Sequence, residues 1–280
     1  MHEWALLIMT VAVPASIGGM LFLWFVHNIL RKNNEKNDLF KMMKLPLLII
    51  AAVSMIGLIA SFFHLGKPIH ALNAIRGFGS SWMSNEIVVT GVFIGLACLT
   101  AGLAIVQKKI NPVLMLVTAI VGLADIFCMA HLYKVTRVHG WDHINTYLVF
   151  YGTAFTLGPV LGASLLVPSL KGQELGKIMK YAFAMSIFGV AIQLVGIAMF
   201  NSHVGSIDLI DTVLASEKLQ PYAGLIGMRW IIEAIGLAGL GYLALSSSVK
   251  KTNYTIMYAA LVIFFIAEGM SRYVFYVLGA

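Results

Sequence analysis

Charge is scarce in this sequence: Asp, Glu, Lys and Arg together make up 11% of its 280 residues, against roughly 25% in an ordinary soluble domain. A chain that is 60% hydrophobic with so little charge is not a water-soluble globular protein. Cysteine is scarcer still. Cys98 and Cys128 both lie inside apolar runs and form no CxxC spacing, which excludes a disulfide framework and the four thiolates of an iron–sulfur cluster. The first apolar run lacks a preceding basic segment, carrying His2 and Glu3 instead, with Arg31 and Lys32 behind it. It therefore reads as a retained helix with its N-terminus outside, not a secretory signal. The net charge of +7 comes largely from lysines in short loops beside apolar runs, where they set membrane orientation rather than bind nucleic acid. There is no internal repeat, low-complexity tract or long linker.

What the chain does have is long apolar runs. Windows of about 20 apolar residues, enough to cross a bilayer as helix, predict eight helices at about 4–30, 45–63, 87–107, 112–132, 146–168, 181–200, 228–247 and 254–275. Backbone amides in lipid must be satisfied within helices or closed barrels, and continuous apolar runs without strict alternation select helices. The expectation is an all-α integral membrane protein, one eight-helix transmembrane domain over residues 1–280. Loops after the odd-numbered helices hold twelve of the 19 Lys and Arg, including Arg31, Lys36, Lys109 and Lys177. By the positive-inside rule both termini then lie on the outer side. Trp4, Trp82, Trp141 and Trp230 fall at that outer interface, as an aromatic belt would. Gly91-xxx-Gly95 and Gly158-xxx-Gly162 predict close helix contacts. Between Asn201 and Gly227, Ile207, Leu209, Ile210, Val213 and Leu214 interleave with Asp208, Asp211 and Glu217, which suggests a short amphipathic helix on the outer surface.

The ionisable residues are lopsided. Between the second and third apolar runs, a polar segment places His64, Lys67, His70, Arg76 and Glu86 at the outer face. Asp125, Glu233 and Glu268 lie in the outer halves of their spans, and seven of the eight histidines map to the same side, with His27 alone near the inner one. A charged side chain in a span costs about 3 kcal/mol or more, so acids repeated at one depth mark a place where something polar is bound or moved. Arg229/Glu233 and Glu268/Arg272 also read as i,i+4 pairs neutralising each other along one helix face. Asp125 has no such partner in its own helix. An imidazole such as His64 near a carboxylate can bond a quinone oxygen and take a proton from quinol. His64 and His131 could alternatively ligate a haem, but transmembrane haem chains need histidine pairs at matching depths and His27 has no counterpart. The expectation is therefore no haem and no metal on this chain.

His2-Glu3-Trp4 leading into Ile8-Met9-Thr10-Val11, His64-Leu65-Gly66-Lys67-Pro68 and Ser84-Asn85-Glu86-Ile87 resemble the membrane anchor subunits of bacterial dimethyl sulfoxide reductases. So do Tyr222-Ala223-Gly224-Leu225 with Arg229, and Ala267-Glu268-Gly269 with Arg272, Val274, Phe275 and Tyr276 near the chain end. The resemblance implies a multi-pass subunit of the bacterial cytoplasmic membrane that oxidises menaquinol in anaerobic respiration. Its electrons would pass to an iron–sulfur subunit carrying [4Fe–4S] clusters and on to a molybdopterin catalytic subunit, both on the outer face. Carried over by position, His64 matches the family's quinol-site histidine and Glu86 the acid opening the next helix. The expected site is thus His64, Glu86 and Asp125, with Arg76, His131, Arg229, Glu233, Glu268 and Arg272 as secondary candidates. The rivals are an anchor for a related polysulfide, tetrathionate or oxyanion reductase, and a proton-coupled transporter, which would favour paired halves and a midplane site.

Overall fold

The computed structural model describes residues 4–63, 73–136, 138–170, 172–207, 209, 213–246 and 254–279. His64, together with the His2-Glu3 and His64–Pro68 motifs, lies outside the described residues. The chain is helical: α1 (Trp4–Leu30), α2 (Lys36–Phe62), α3 (Asn73–Arg76), α4 (Trp82–Gln107), α5 (Pro112–Lys134), α6 (Asn145–Leu166), α7 (Gly172–Asn201), α8 (Ala215–Leu219), α9 (Ala223–Ser246) and α10 (Tyr254–Val277). Among the described residues, eight of these are long and apolar enough to cross a membrane. Several run past their apolar cores. The α2 helix starts at Lys36 and α7 at Gly172, each about nine residues before the predicted boundary, because charged turns continue a helix into the interface where a hydropathy window no longer sees it. An even number of spans returns both chain ends to one side, here called the terminal end.

The eight spans pack as two groups of four with the same internal order. In the first, α1 contacts α2 and α5, α2 contacts α4, and α4 contacts α5; in the second, α6 contacts α7 and α10, α7 contacts α9, and α9 contacts α10. The α1–α6 seam joins them. Two central helices and six peripheral ones follow, and α1 and α6 are accordingly the most buried spans. This pairing of halves is invisible in the sequence because it repeats packing order, not residues.

Glycine makes the seam. A Cβ on Gly158 would stand 2.4 Å from the Gly18 carbonyl carbon, and one on Gly18 would stand 1.9 Å from the Ala154 carbonyl oxygen, so only glycine lets these backbones touch. Gly162 lies against Phe22 in the same seam. The first predicted glycine pair is not a contact: Gly91 and Gly95 have nothing within 4 Å of a would-be Cβ, so they face outward from α4. Gly158→Val is therefore expected to cost more than the 1–3 kcal/mol typical of overpacking, since the obstacle is backbone. Gly91→Ala should leave the thermal midpoint in detergent unchanged; equal losses would show that the seam is not a close approach.

The long connection after α7 also departs from expectation. Among the described residues between Asn201 and Gly227, where an amphipathic helix is expected, Leu209 N–H donates to Val213 O (3.0 Å) and Ala215 N–H to Ile207 O (2.9 Å), an antiparallel pairing beside the five-residue α8; Asp208, Ile210 and Asp211 lie outside the described residues. Leu209 and Ala215 then pack on Phe200 and Leu278 as a small cluster over the terminal end of the second bundle.

Candidate functional site

Two buried carboxyls stand near the terminal end of the first bundle. Thr90 of α4 donates its hydroxyl to Asp125 Oδ1 of α5 at 2.6 Å, and Glu86 sits one turn above Thr90 on the same face of α4. Asp125 is fully buried and Glu86 nearly so; the two are within electrostatic reach of each other. Asp125 Oδ2 has no hydrogen-bond partner among the described residues.

Aromatic side chains wall this region. Trp82, one turn before Glu86, places its ring centroid 4.0 Å from that of His131. Phe127 stacks on His131 at 5.4 Å and on Tyr147 at 5.5 Å, and the His131 Nδ1 hydrogen-bonds the Tyr147 hydroxyl. A line of hydroxyls runs alongside: Thr10 Oγ1 to Tyr276 OH at 3.1 Å and Tyr276 OH to Tyr133 OH at 2.8 Å, with Glu86 within electrostatic reach of both tyrosines. Arg76 closes α3 and remains exposed.

The remaining secondary candidates gather in the second bundle. Arg229 pairs with Glu233 at 3.0 Å, as the i,i+4 spacing predicts, and also faces Glu268 of α10 at 3.7 Å. The expected Glu268/Arg272 pair is an electrostatic neighbour pair without a direct ion-pair contact, and the hydrogen bonds of Glu268 run across helices. Glu268 accepts from Gln193 Nε2 (2.7 Å) on one oxygen and from Thr153 Oγ1 (2.7 Å) on the other; Arg272 donates to Thr153 at 3.2 Å and stays within electrostatic reach of Glu268. Gln193 Oε1 accepts from Arg229. Arg272 lays its guanidinium over the Phe150 ring at 3.7 Å, an attraction available to a buried cation. Two arginines and two glutamates balance, and Thr153 is the coupling residue that sequence reading overlooked; a threonine in an apolar helix carries no distinguishing signal.

A cavity of about 360 Å³ opens between α6, α7, α9 and α10, with Arg229 and Trp230 on one wall and Phe200, Leu219, Met270 and Val274 on the others. Arg229 stacks on Trp230 at 3.8 Å.

The histidine-rich loop before α6 divides into separate tasks. Trp141 donates its indole N–H to Phe275 O at 2.7 Å and so ties the loop to α10. His139, Asp142, His143 and His203 border an open cavity of about 460 Å³. Burial and the nearby His203 lower the His143 pKa, opposed by Asp142. No three of the described His, Cys, Asp and Glu side chains gather closely enough to hold a metal ion.

A family model described as DMSO reductase anchor subunit (DmsC) matches residues 1–278. The protein is 29% identical over 281 residues to the C subunit of the anaerobic dimethyl sulfoxide reductase of Haemophilus influenzae, a match spanning 99% of this protein and 94% of that one. It is 29% identical over 282 residues to the subunit of the same name in Escherichia coli, spanning 98% and 94%. Over 171 residues it is 28% identical to the YnfH subunit of an anaerobic dimethyl sulfoxide reductase of Escherichia coli, spanning 59% of this protein and 58% of that one. No solved structure matches it.

Proposed function

Since the chain belongs to the DMSO reductase anchor subunit family, a family of membrane anchors within oxidoreductase complexes, we propose that it oxidises menaquinol at the terminal end. That end is the outer face of the bacterial cytoplasmic membrane, a placement supported by the excess of Lys and Arg in the opposite loops. The observation that carries this reading is the buried Glu86–Asp125 pair, held by Thr90 and flanked by the Trp82, Phe127, His131 and Tyr147 rings. Apolar rings can hold a flat aromatic headgroup. Carboxyls kept out of water can take a proton from a hydroxyl as electrons leave it.

In this mechanism His64 accepts a hydrogen bond from one quinol hydroxyl and helps remove its proton. Glu86 takes the proton and passes it to the outer aqueous phase, with Asp125 as a second acceptor. The Tyr133–Tyr276–Thr10 hydroxyls lie within electrostatic reach of Glu86 and lend it polar support. An iron–sulfur subunit with [4Fe–4S] clusters docks on the outer loops and collects the electrons for a molybdopterin subunit that reduces dimethyl sulfoxide. Because protons leave on the side where the acceptor is reduced, turnover moves no net charge across the membrane. The anchor itself does not touch the final acceptor, and an anchor role for a related oxyanion reductase would use the same residues.

Fluorescence titration of a quinol-analogue inhibitor against the purified protein tests the site. One saturable site in the wild type that weakens at least tenfold in both His64→Ala and Glu86→Gln supports it. The 360 Å³ cavity beside Arg229 favours a second reading, in which the headgroup sits in the second bundle. In that case Ala223→Phe, which fills the cavity, removes binding while Glu86→Gln leaves it unchanged.

A further inference from the structure

The opposite end of the molecule holds a second polar site with no part in the chemistry above. Where α1 ends, α2 begins and the α4–α5 turn folds back, a cavity of about 360 Å³ is lined by His27, Arg31, Lys36 and Lys109. We propose that this cavity binds the phosphate of an anionic phospholipid in the leaflet facing away from the chain termini.

Charge points to an anion. Three of the lining side chains are cations and none is an acid. Of the acids nearby, Asp38 pairs with Lys41 at 3.5 Å, and Glu174, at the cavity's edge, is engaged by the lining Asn34, from which it accepts at 2.9 Å. Glu35, at the N-cap of α2, makes no capping bond through its carboxylate, and the first-turn amides of α2, beside Lys36, lie at the positive end of a helix dipole. Backbone donors of this kind are suited to phosphate oxygens. His27 adds a ring nitrogen that donates in its Nδ1–H tautomer: it is 5% exposed, and its Nδ1 has no partner among the described residues. A buried ring nitrogen without a bond is costly, and a ligand oxygen above it would remove that cost.

Position points to a lipid as the bearer of that anion. The cavity sits at the mouths of spanning helices, and the same cavity is walled by Leu39, Ile110 and Pro112, an apolar border that a free phosphate ion would not use. Past the α4–α5 turn, Val106 and Val113 are 79% and 68% exposed and continue onto the outward faces of α4 and α5, where acyl tails can lie. Basic pockets between helix ends at a membrane surface bind anionic headgroups in this manner.

Native mass spectrometry of the full-length protein, titrated in detergent with phosphatidylglycerol, phosphatidylcholine or inorganic phosphate, tests the assignment. The expected result is one phosphatidylglycerol retained in preference to phosphatidylcholine, unaffected by millimolar inorganic phosphate. Retention should fall about fivefold for each lining cation removed, so Arg31→Gln and the exposed, fold-neutral Lys109→Gln both lower it. Lys177→Gln/Lys180→Gln, cations at the same end but outside the cavity, leaves it intact. Equal loss in the Lys177/Lys180 variant would overturn the site in favour of diffuse surface charge, and displacement by inorganic phosphate would overturn the lipid.

Discussion

Glu86→Gln is expected to lower quinol-driven turnover of the assembled complex by about 100-fold or more, the range contributed by a positioned acid–base group. Turnover driven by a soluble dye that feeds electrons directly to the partner subunits should stay at the wild-type level. The contrast follows from what the substitution changes. Glutamine keeps the volume of Glu86 and sits at a position that is 9% exposed, so packing of α4 against α5 survives. It cannot accept and release a proton. Asp125 remains, held by Thr90, yet it is fully buried and deeper from the aqueous phase, so a proton parked there has no short exit. Asp125→Asn should consequently be milder than Glu86→Gln. Parallel loss of dye-driven turnover would instead assign Glu86 to assembly, and unchanged quinol turnover would remove it from the site altogether.

Glu268→Ala is expected to destabilise the protein by about 3–5 kcal/mol, the cost of breaking a buried ion pair from one side. Glu268 is the hub of its network. Gln193, Thr153 and Arg229 all converge on its two oxygens, and Thr153 in turn steadies Arg272. Removing it leaves two buried arginines against one glutamate and strands donors in lipid-depth surroundings, where nothing else can bond them. Glu268→Gln keeps a partial acceptor and should cost less. The decisive comparison is Glu268→Gln with Arg229→Gln in one protein: coupled groups give a non-additive double change, so the double variant should melt above the sum of the two single losses. Strict additivity in detergent melting curves would dismiss the network as coincidence of position.

Much of the candidate site was legible in the sequence. Acids in apolar helices stand out because their cost is so large, and Glu86, Asp125, Glu233 and Glu268 were all located by that test. The i,i+4 rule placed Arg229 against Glu233 correctly, since both ends of that pair lie on one helix and the spacing alone brings them together. For Glu268 and Arg272 it gave electrostatic nearness without a direct ion pair, because neighbouring helices offered Glu268 better hydrogen-bond partners than its own helix did. The glycine motifs divide the same way. Small residues permit close approach but do not say which face of a helix has a neighbour, so Gly158 and Gly162 lie in the seam while Gly91 and Gly95 face outward.

By itself the sequence determined that this protein is a bundle of long apolar helices, where those helices run, which end collects the buried acids, and which family it resembles. Each of these depends on composition or spacing along one helix, where burial cost and backbone hydrogen bonding act locally. Only the tertiary structure decided that the helices form two four-helix groups joined at Gly18 and Gly158, and that Thr90, Thr153, Gln193 and the Tyr133–Tyr276–Thr10 hydroxyls complete the polar sites. It alone placed the cavities, two toward the terminal end and one at the opposite end. Those features arise from contacts between residues far apart in the sequence. In lipid, apolar faces carry little information about which neighbour they meet, and shape together with hydrogen-bond satisfaction makes the choice.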